Sequence, residues 1–314
     1  MLGGPARRGT VLLAAMLAFW MLALAAEAQT ITVRPNVKAG DTINLTLTKT
    51  LKRERPNQPR VDGSSETPIT ITVLEARSDG YVIRWMAGGT RILSTTEMVD
   101  PVSQQMIDLA QGVPFEIQLD GSGRFRQLRN YEQAKAQLER ALSVVLETVQ
   151  DEAQRNRLRD GVSRLFATRQ ALEQTALREA MVYLYPFGRT LQGGKPEVQK
   201  LAVRTPFDRE PIPAVLTITL LSHEPSTGLA RMKWSQELDP SAAAEAVRRM
   251  AEGVLRQSGK ELPENARLPT LDVTDQGIAE IATGTGFAQS VEYERRVSLQ
   301  DNLEHQTVKL VRTP

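Results

Sequence analysis

Thr70–Trp85 reads TITVLEARSDGYVIRW, and Thr217–Trp234 reads TITLLSHEPSTGLARMKW. Each opens with a Thr-Ile-Thr run and passes through a polar turn with one glycine (Gly80, Gly228). Each then closes on a basic residue and a tryptophan, Arg84-Trp85 and Lys233-Trp234. β-Branched and aromatic residues suit a pleated, half-buried surface, and a short Gly-containing connection between two such runs predicts an antiparallel hairpin. The stretch is therefore read as one unit occurring twice, and it sets the fold class.

Outward from these hairpins, further markers recur in the same order and at similar spacing. Gly40 is matched by Gly188 and Gly123 by Gly277. Ile43, Leu45 and Leu47 alternate with polar residues over Ile43–Leu51, the period of a strand with one buried face. Phe115–Leu119 and Arg124–Leu128 form a hairpin across Asp120–Gly123. In the second copy Pro269–Thr274 and Ile278–Ala282 are expected to repeat it around a turn at Gly277. Asp100-Pro101 and Asp239-Pro240 each pair a helix-capping residue with a proline suited to the first helical turn. Lys52–Thr67 reads as a polar, solvated loop; its alternative reading, from Arg53, Arg55 and Arg60, is a contact patch for anionic lipid or polymer.

Between the copies the period changes from two to that of a helix. Asn130 and Gln133 fit a capping box, and Ala134, Leu138, Leu142, Val145 and Val149 form an apolar stripe. A break is expected at Asp160-Gly161, and a second stripe ends before Pro186. Helices inserted among strands joined by short turns argue against alternating βαβ units. The expected fold is α+β and antiparallel β-rich: two related halves of twisted sheet bridged by a helical pair. Its parts are a signal peptide (1–28), a first β-rich half (29–129), the helical pair (130–186) and a second β-rich half (187–314).

The N-terminal segment carries Arg7-Arg8, the apolar run Val11–Ala26 and the small-x-small site Ala26-Glu27-Ala28. This is the pattern of a signal peptide cleaved before Gln29, and it places the mature chain in the periplasm or outside the cell; the alternative is an uncleaved anchor. The chain has 314 residues, 41% hydrophobic and 24% charged, enough to bury a sizeable core. A formal net charge of +2 gives no support for nucleic-acid binding. There is no cysteine, which excludes disulfides, thiol catalysis and an N-terminal lipidated cysteine.

Catalytic signatures are sparse. The two histidines, His223 and His305, have no companion His or Cys and do not suggest a zinc site. Gly284-Thr285-Gly286 lacks the third glycine of a dinucleotide fingerprint and the lysine of a P-loop, and reads as a turn. Asp120–Gly123 lacks the spaced carboxylates of a calcium loop. No Gly-x-Ser-x-Gly elbow occurs. The expectation is a non-enzymatic protein without cofactor or metal, with a hydrolase of unrecognisable motif as an alternative. The matched tryptophans Trp85 and Trp234 have two readings: packing in the core or at a sheet edge, or aromatic walls of an apolar cleft between the halves. They are the candidate ligand-binding residues.

The signal peptide, the Gly40-Asp41-Thr42 turn, the strand pair and the Val113–Asn130 hairpin together resemble the uncharacterised exported proteins of bacteria. Those show a Gly-Asp opening and an apolar–Asp-x-x-Gly–apolar hairpin before a helix. The resemblance covers most of the mature chain and implies no catalytic residue. A looser architectural analogy is to periplasmic lipoprotein carriers, in which a curved antiparallel sheet holds acyl chains against helices. It implies a lipid or other hydrophobic ligand; an envelope protein as partner, with the chain a structural or assembly module, is the alternative. Neither makes the chain an integral membrane protein after signal removal.

Overall fold

The computed structural model describes residues 30–96, 104–105, 108–203, 210–257, 259–263, 266 and 268–313. The expected signal peptide (1–28) and the expected helix start at Asp100-Pro101 lie outside the described residues. The first half contains β1 (Thr30–Thr32), β2 (Thr42–Glu54), β3 (Val61–Arg77), β4 (Gly80–Ala87), β5 (Arg91–Thr95), β6 (Phe115–Asp120) and β7 (Phe125–Leu128). Four helices follow: α1 (Tyr131–Thr148), α2 (Glu152–Leu165), α3 (Arg169–Ala176) and α4 (Arg178–Leu184). The second half contains β8 (Thr190–Gln192), β9 (Glu197–Val203), β10 (Ile212–Glu224), β11 (Leu229–Leu238), α5 (Pro240–Gln257), β12 (Leu271–Ala282), β13 (Ala288–Leu299) and β14 (Asn302–Thr313). The fold is α+β, β-rich and antiparallel.

Each half is a meander, and β14 pairs with β2, from Leu303↔Glu54 to Thr313↔Asn44. One sheet therefore runs through both halves in the order β7-β6-β4-β3-β2-β14-β13-β12-β11-β10-β9, with β5 paired to β3. The two hairpins quoted at the outset pair alike. Trp85 lies opposite Ile71 and Trp234 opposite Ile218, each the isoleucine of Thr-Ile-Thr. The register slips in each at the following leucine, between Val73 and Glu75 and between Leu220 and Ser222. This shared register favours a duplicated hairpin.

Gly277 does not belong to that repeat. It lies inside β12, opposite Trp234 on β11 and Tyr293 on β13, so the expected second turn is a continuous strand. The expected loop Lys52–Thr67 is also mostly strand, because backbone pairing needs no apolar side chain: β2 and β3 stay in register out to Arg53↔Val61. Two of its arginines are held within the chain, Arg53 by Glu304 at 3.1 Å and Arg60 by Glu54 at 3.3 Å.

Tyr183 shows how the sheet is shaped. Its ring lies 6.2 Å from that of Trp85 on β4, and its hydroxyl donates to the Ala288 carbonyl on β13 at 2.9 Å. In a flat sheet β4 and β13 would be about 19 Å apart, four inter-strand spacings. One side chain reaches both because the sheet curls around α4. Much of its inward face is apolar, including Ile43 and Leu45 on β2 and Ile218 and Leu220 on β10, and these share a core with Leu138, Leu142, Leu172 and Leu184 of the helices. β1 and β8 pair in a two-stranded ribbon, with Ile31 opposite Leu191, and both side chains join this core.

The helical segment is divided into four. Asp151 caps α2 through the amides of Ala153 and Gln154, and Thr168 caps α3 through that of Ala171. Asp160 and Gly161 lie within α2, so the expected break falls a turn or more later, where Thr168 offers a cap. Asn130 does not form the expected capping box. Its side chain instead accepts from the Glu116 amide at 2.9 Å and donates to the Pro114 carbonyl at 2.8 Å, tying the start of α1 to β6. Asp239 caps α5 as expected, accepting from the Ala242 amide at 2.9 Å.

Candidate functional site

The inward face of the second half is covered by two separate layers. Near one strand end, α5 lays Ala246 and Val247 on Ile212, Leu271 and Val273 in a small cluster of their own. Toward the other end, Leu220, Ala279 and Ile281 belong to the main core, together with Leu172 of α3 and Ala180 and Leu184 of α4. A cleft of about 490 Å³ lies between, within the usual range for a small-molecule site.

Strand register builds the floor of this cleft. Leu216, Gln236, Asp275 and Arg295 form one cross-strand row over β10, β11, β12 and β13, and all four line the cleft. The next row is Ile218, Trp234, Gly277 and Tyr293. A side chain on Gly277 would run into the six-membered ring of Trp234, so the glycine lets the indole lie flat across β12. Tyr185, just past α4, stacks on that indole with ring centroids 4.7 Å apart and planes inclined by 28°. Such a pair adds about 0.5–1.5 kcal/mol beyond the area it buries. Met181 and Val182 of α4 complete an apolar wall.

The opposite side is polar and strongly organised. Asp275 is buried, yet its carboxylate is satisfied: Tyr293 donates to it at 2.5 Å, Gln236 at 3.3 Å, and the Arg295 guanidinium stands 3.7 Å away. Burial, reinforced by the Asp275 carboxylate, pushes the Tyr293 hydroxyl up to about 12. Burial likewise pushes Tyr185 up to about 12, against the pull of Arg189, whose guanidinium lies 4.3 Å from the centre of the Tyr185 ring. Arg178, the first residue of α4, also lines the cleft, and its Nη2 is buried with no hydrogen-bond partner among the described residues.

A second hollow of about 310 Å³ adjoins, sharing Met181 and Tyr185 and bounded by Phe125 of β7 and Gln199 of β9. These are the two outermost strands of the long sheet, about 48 Å apart were it flat. The curl brings its edges to either side of Tyr185.

The two expected ligand residues separate. Both indoles are buried, but Trp234 lines the larger hollow, whereas Trp85 packs against Tyr183 and lines neither. His223 lies near the end of β10, opposite Ala230, and His305 on β14 contacts Glu294; neither lines these hollows. Gly284-Thr285-Gly286 is a turn, as expected, and its carbonyls accept from the backbone and side chain of Asn36. No cluster of three or more His, Cys, Asp or Glu side chains suited to a metal occurs among the described residues. No helix among them is long and apolar enough to cross a membrane. Arg178, Tyr185, Asp275, Tyr293 and Arg295 escaped the sequence reading. One signal was present: along β12 the inward positions run Leu271, Val273, Asp275, Gly277, Ala279, Ile281, and a carboxylate followed by a glycine interrupts an apolar series.

No family model matches the sequence, and no curated protein matches it. Among solved structures, one reported under lipid–protein interactions in lipovitellin is 10% identical with a TM-score of 0.39; the match covers 88% of this chain, which spans 25% of that one. Rv2717c from M. tuberculosis is 9% identical with a TM-score of 0.23, over 86% of this chain and 91% of that one. DynF, from the dynemicin biosynthesis pathway of Micromonospora chersina, is 6% identical with a TM-score of 0.21, over 91% and 86%. At these TM-scores and identities the likenesses carry no argument about function.

Proposed function

We propose that the chain is an exported, non-enzymatic binding protein whose cleft between α4 and strands β10–β13 holds a small hydrophobic ligand. The observation that carries this reading is the cleft, open on the inward face, with a stacked Tyr185–Trp234 wall. An inward-facing hollow of about 490 Å³ bounded by two aromatic rings, Met181, Val182 and Leu216 leaves apolar surface uncovered. Covering it with an apolar molecule is favourable at roughly 25 cal/mol per Å² removed from water, before the losses of association. The signal-peptide pattern at the N-terminus supports a place outside the cytoplasm, where a carrier for a poorly soluble molecule has a task.

The test is organic extraction of the protein purified from its own host, with mass spectrometry of the extract, beside titration with the neutral apolar fluorophore N-phenyl-1-naphthylamine. The expected result is a recurrent co-purifying apolar compound and saturable fluorophore binding that this compound displaces. A protein that yields no such compound and binds no fluorophore overturns the reading. Cell fractionation with N-terminal sequencing checks the export step, and a mature N-terminus at Gln29 is the expected outcome.

A further inference from the structure

We infer that the ligand of this cleft is an amphiphile with one anionic oxygen head, taken by Arg178 with Arg295 beside it, and an apolar tail along Met181, Tyr185, Trp234 and Leu216. The inference rests on the binding reading above and names the class of molecule.

Charge accounting in the cleft leads to the head group. Its lining carries two carboxylates, Glu173 and Asp275, and two guanidinium groups, Arg178 and Arg295. Glu173 is engaged elsewhere, accepting from the Leu128 amide of β7 at 2.7 Å. Asp275 has Tyr293, Gln236 and Arg295 around it. Arg178 is the cation left over, with a buried N–H that meets no acceptor among the described residues. A buried donor on a charged group without a partner is costly, and native structures leave few such groups without a reason.

The rest of the cleft fits the rest of such a molecule. Arg295 stands in the row of Asp275 and Gln236, Arg178 lines the same cleft from α4, and Trp234, one row away, continues onto Tyr185. A guanidinium presents paired N–H groups that match the two oxygens of a carboxylate or phosphate, so the head is fixed in orientation as well as charge. A neutral apolar ligand would bury Arg178 still deeper with its donor unsatisfied. A cationic ligand would meet two guanidinium groups.

The experiment uses the purified protein stripped of endogenous ligand, with N-phenyl-1-naphthylamine as reporter. Competitors are dodecanoic acid, dodecyl phosphate and dodecan-1-ol, which share a tail and differ in the head. The expected result is that at least one anionic competitor displaces the reporter roughly tenfold more tightly than the alcohol, the factor of one charge-assisted hydrogen bond. The acid and phosphate arms then tell a carboxylate from a phosphate source. Arg178→Gln is expected to bring the anion close to the alcohol, read as the ratio of the two within that variant, and Arg178→Lys to restore part of the preference. Urea unfolding shows whether Arg178→Gln folds; if it does not, the Arg178→Lys preference and the wild-type acid-to-alcohol ratio still decide. Alcohol and reporter binding with no preference for either anion overturns the head-group inference and leaves the apolar cleft standing. Failure of every competitor and of the reporter removes the cleft reading and this inference with it.

Discussion

The indole of Trp234 lies across the backbone of Gly277, in the space where any other residue would place its β-carbon. The two are direct cross-strand partners, so the tryptophan covers a position that would otherwise expose β12. Gly277→Ala forces the ring to move, and Gly277→Val forces it further. Overpacking of this kind costs typically about 1–3 kcal/mol. Urea unfolding should show that loss, with the valine variant the weaker. In the Trp234→Ala background Gly277→Ala should cost clearly less, because the two residues are coupled. Equal losses in both backgrounds would mean that the ring and the glycine do not meet.

Tyr185 is the other half of the aromatic wall, and it touches both hollows. Tyr185→Ala should weaken N-phenyl-1-naphthylamine binding by about three- to tenfold, the worth of one stacking partner. The optical signal has a built-in control. Trp234 lines the larger hollow while Trp85 is packed on Tyr183 in the core. Ligand should therefore quench or shift the emission of a Trp85→Phe variant as in the parent, and leave that of a Trp234→Phe variant nearly unchanged.

Tyr293 and Asp275 predict an alkaline limit. Burial and the carboxylate together raise the Tyr293 hydroxyl from 10.0 to about 12, and burial raises Tyr185 to about 12 and Tyr183 in the same direction. The folded state thus holds these protons more firmly than the unfolded chain does. Their contribution to stability is complete below pH 10.0 and is lost as the pH climbs toward about 12. Tyr293→Phe should be less stable at neutral pH, by about 1–3 kcal/mol, because it leaves the buried Asp275 one donor short. Its stability should fall less steeply between pH 10 and about 12. Denaturant melts across that range, with tyrosinate absorbance followed in parallel, check both signs.

How much of this was legible in the sequence differs from element to element. Strict alternation at Ile43, Leu45 and Leu47 and at Phe115, Ile117 and Leu119 announced β2 and β6, because one buried face writes itself into every second residue. The outer half of the β2–β3 hairpin did not, since its pairing is carried by backbone groups under polar side chains. Gly277 was read as a turn because a glycine that admits a neighbouring ring and a glycine that turns the chain look alike in one dimension. Trp234 could be singled out from its matched position, but its separation from Trp85 depends on how α4 docks, with Tyr183 on Trp85 and Tyr185 on Trp234 beside the cleft. Arg178 and Tyr185 come from a helical segment whose docking is tertiary, and nothing local marks them. Asp275 was marked, as a charge at an inward position of a strand.

On the first half of the sheet, Arg129 ties β3 to β6 and predicts an acid limit. Its guanidinium pairs with Glu75 of β3 and with Glu116 of β6 at 2.9 Å, and Arg84 of β4 reaches Glu116 at 3.2 Å. The Arg129 hydrogen bond holds Glu75 below the usual carboxylate range. Burial alone would raise Glu116, but the hydrogen bonds from Arg129 and Arg84 outweigh it and hold Glu116 low as well. Carboxylates that lose protons more readily when folded stabilise the fold above the ordinary value of 4.5 and lose that contribution as the pH falls through their lowered values. Arg129→Ala should therefore cost of the order of 1 kcal/mol at pH 7, more than an isolated surface pair, because it strips the partly buried Glu116 of a partner. The gap between variant and parent should then narrow from about pH 5 to about pH 3, as protonation removes in the parent what the substitution has already removed. Glu116→Gln should reproduce the narrowing with a smaller loss at neutral pH, since the amide keeps an acceptor for Arg129. A gap that stays constant with pH would show that Arg129 acts through packing of its stem and not through its charge.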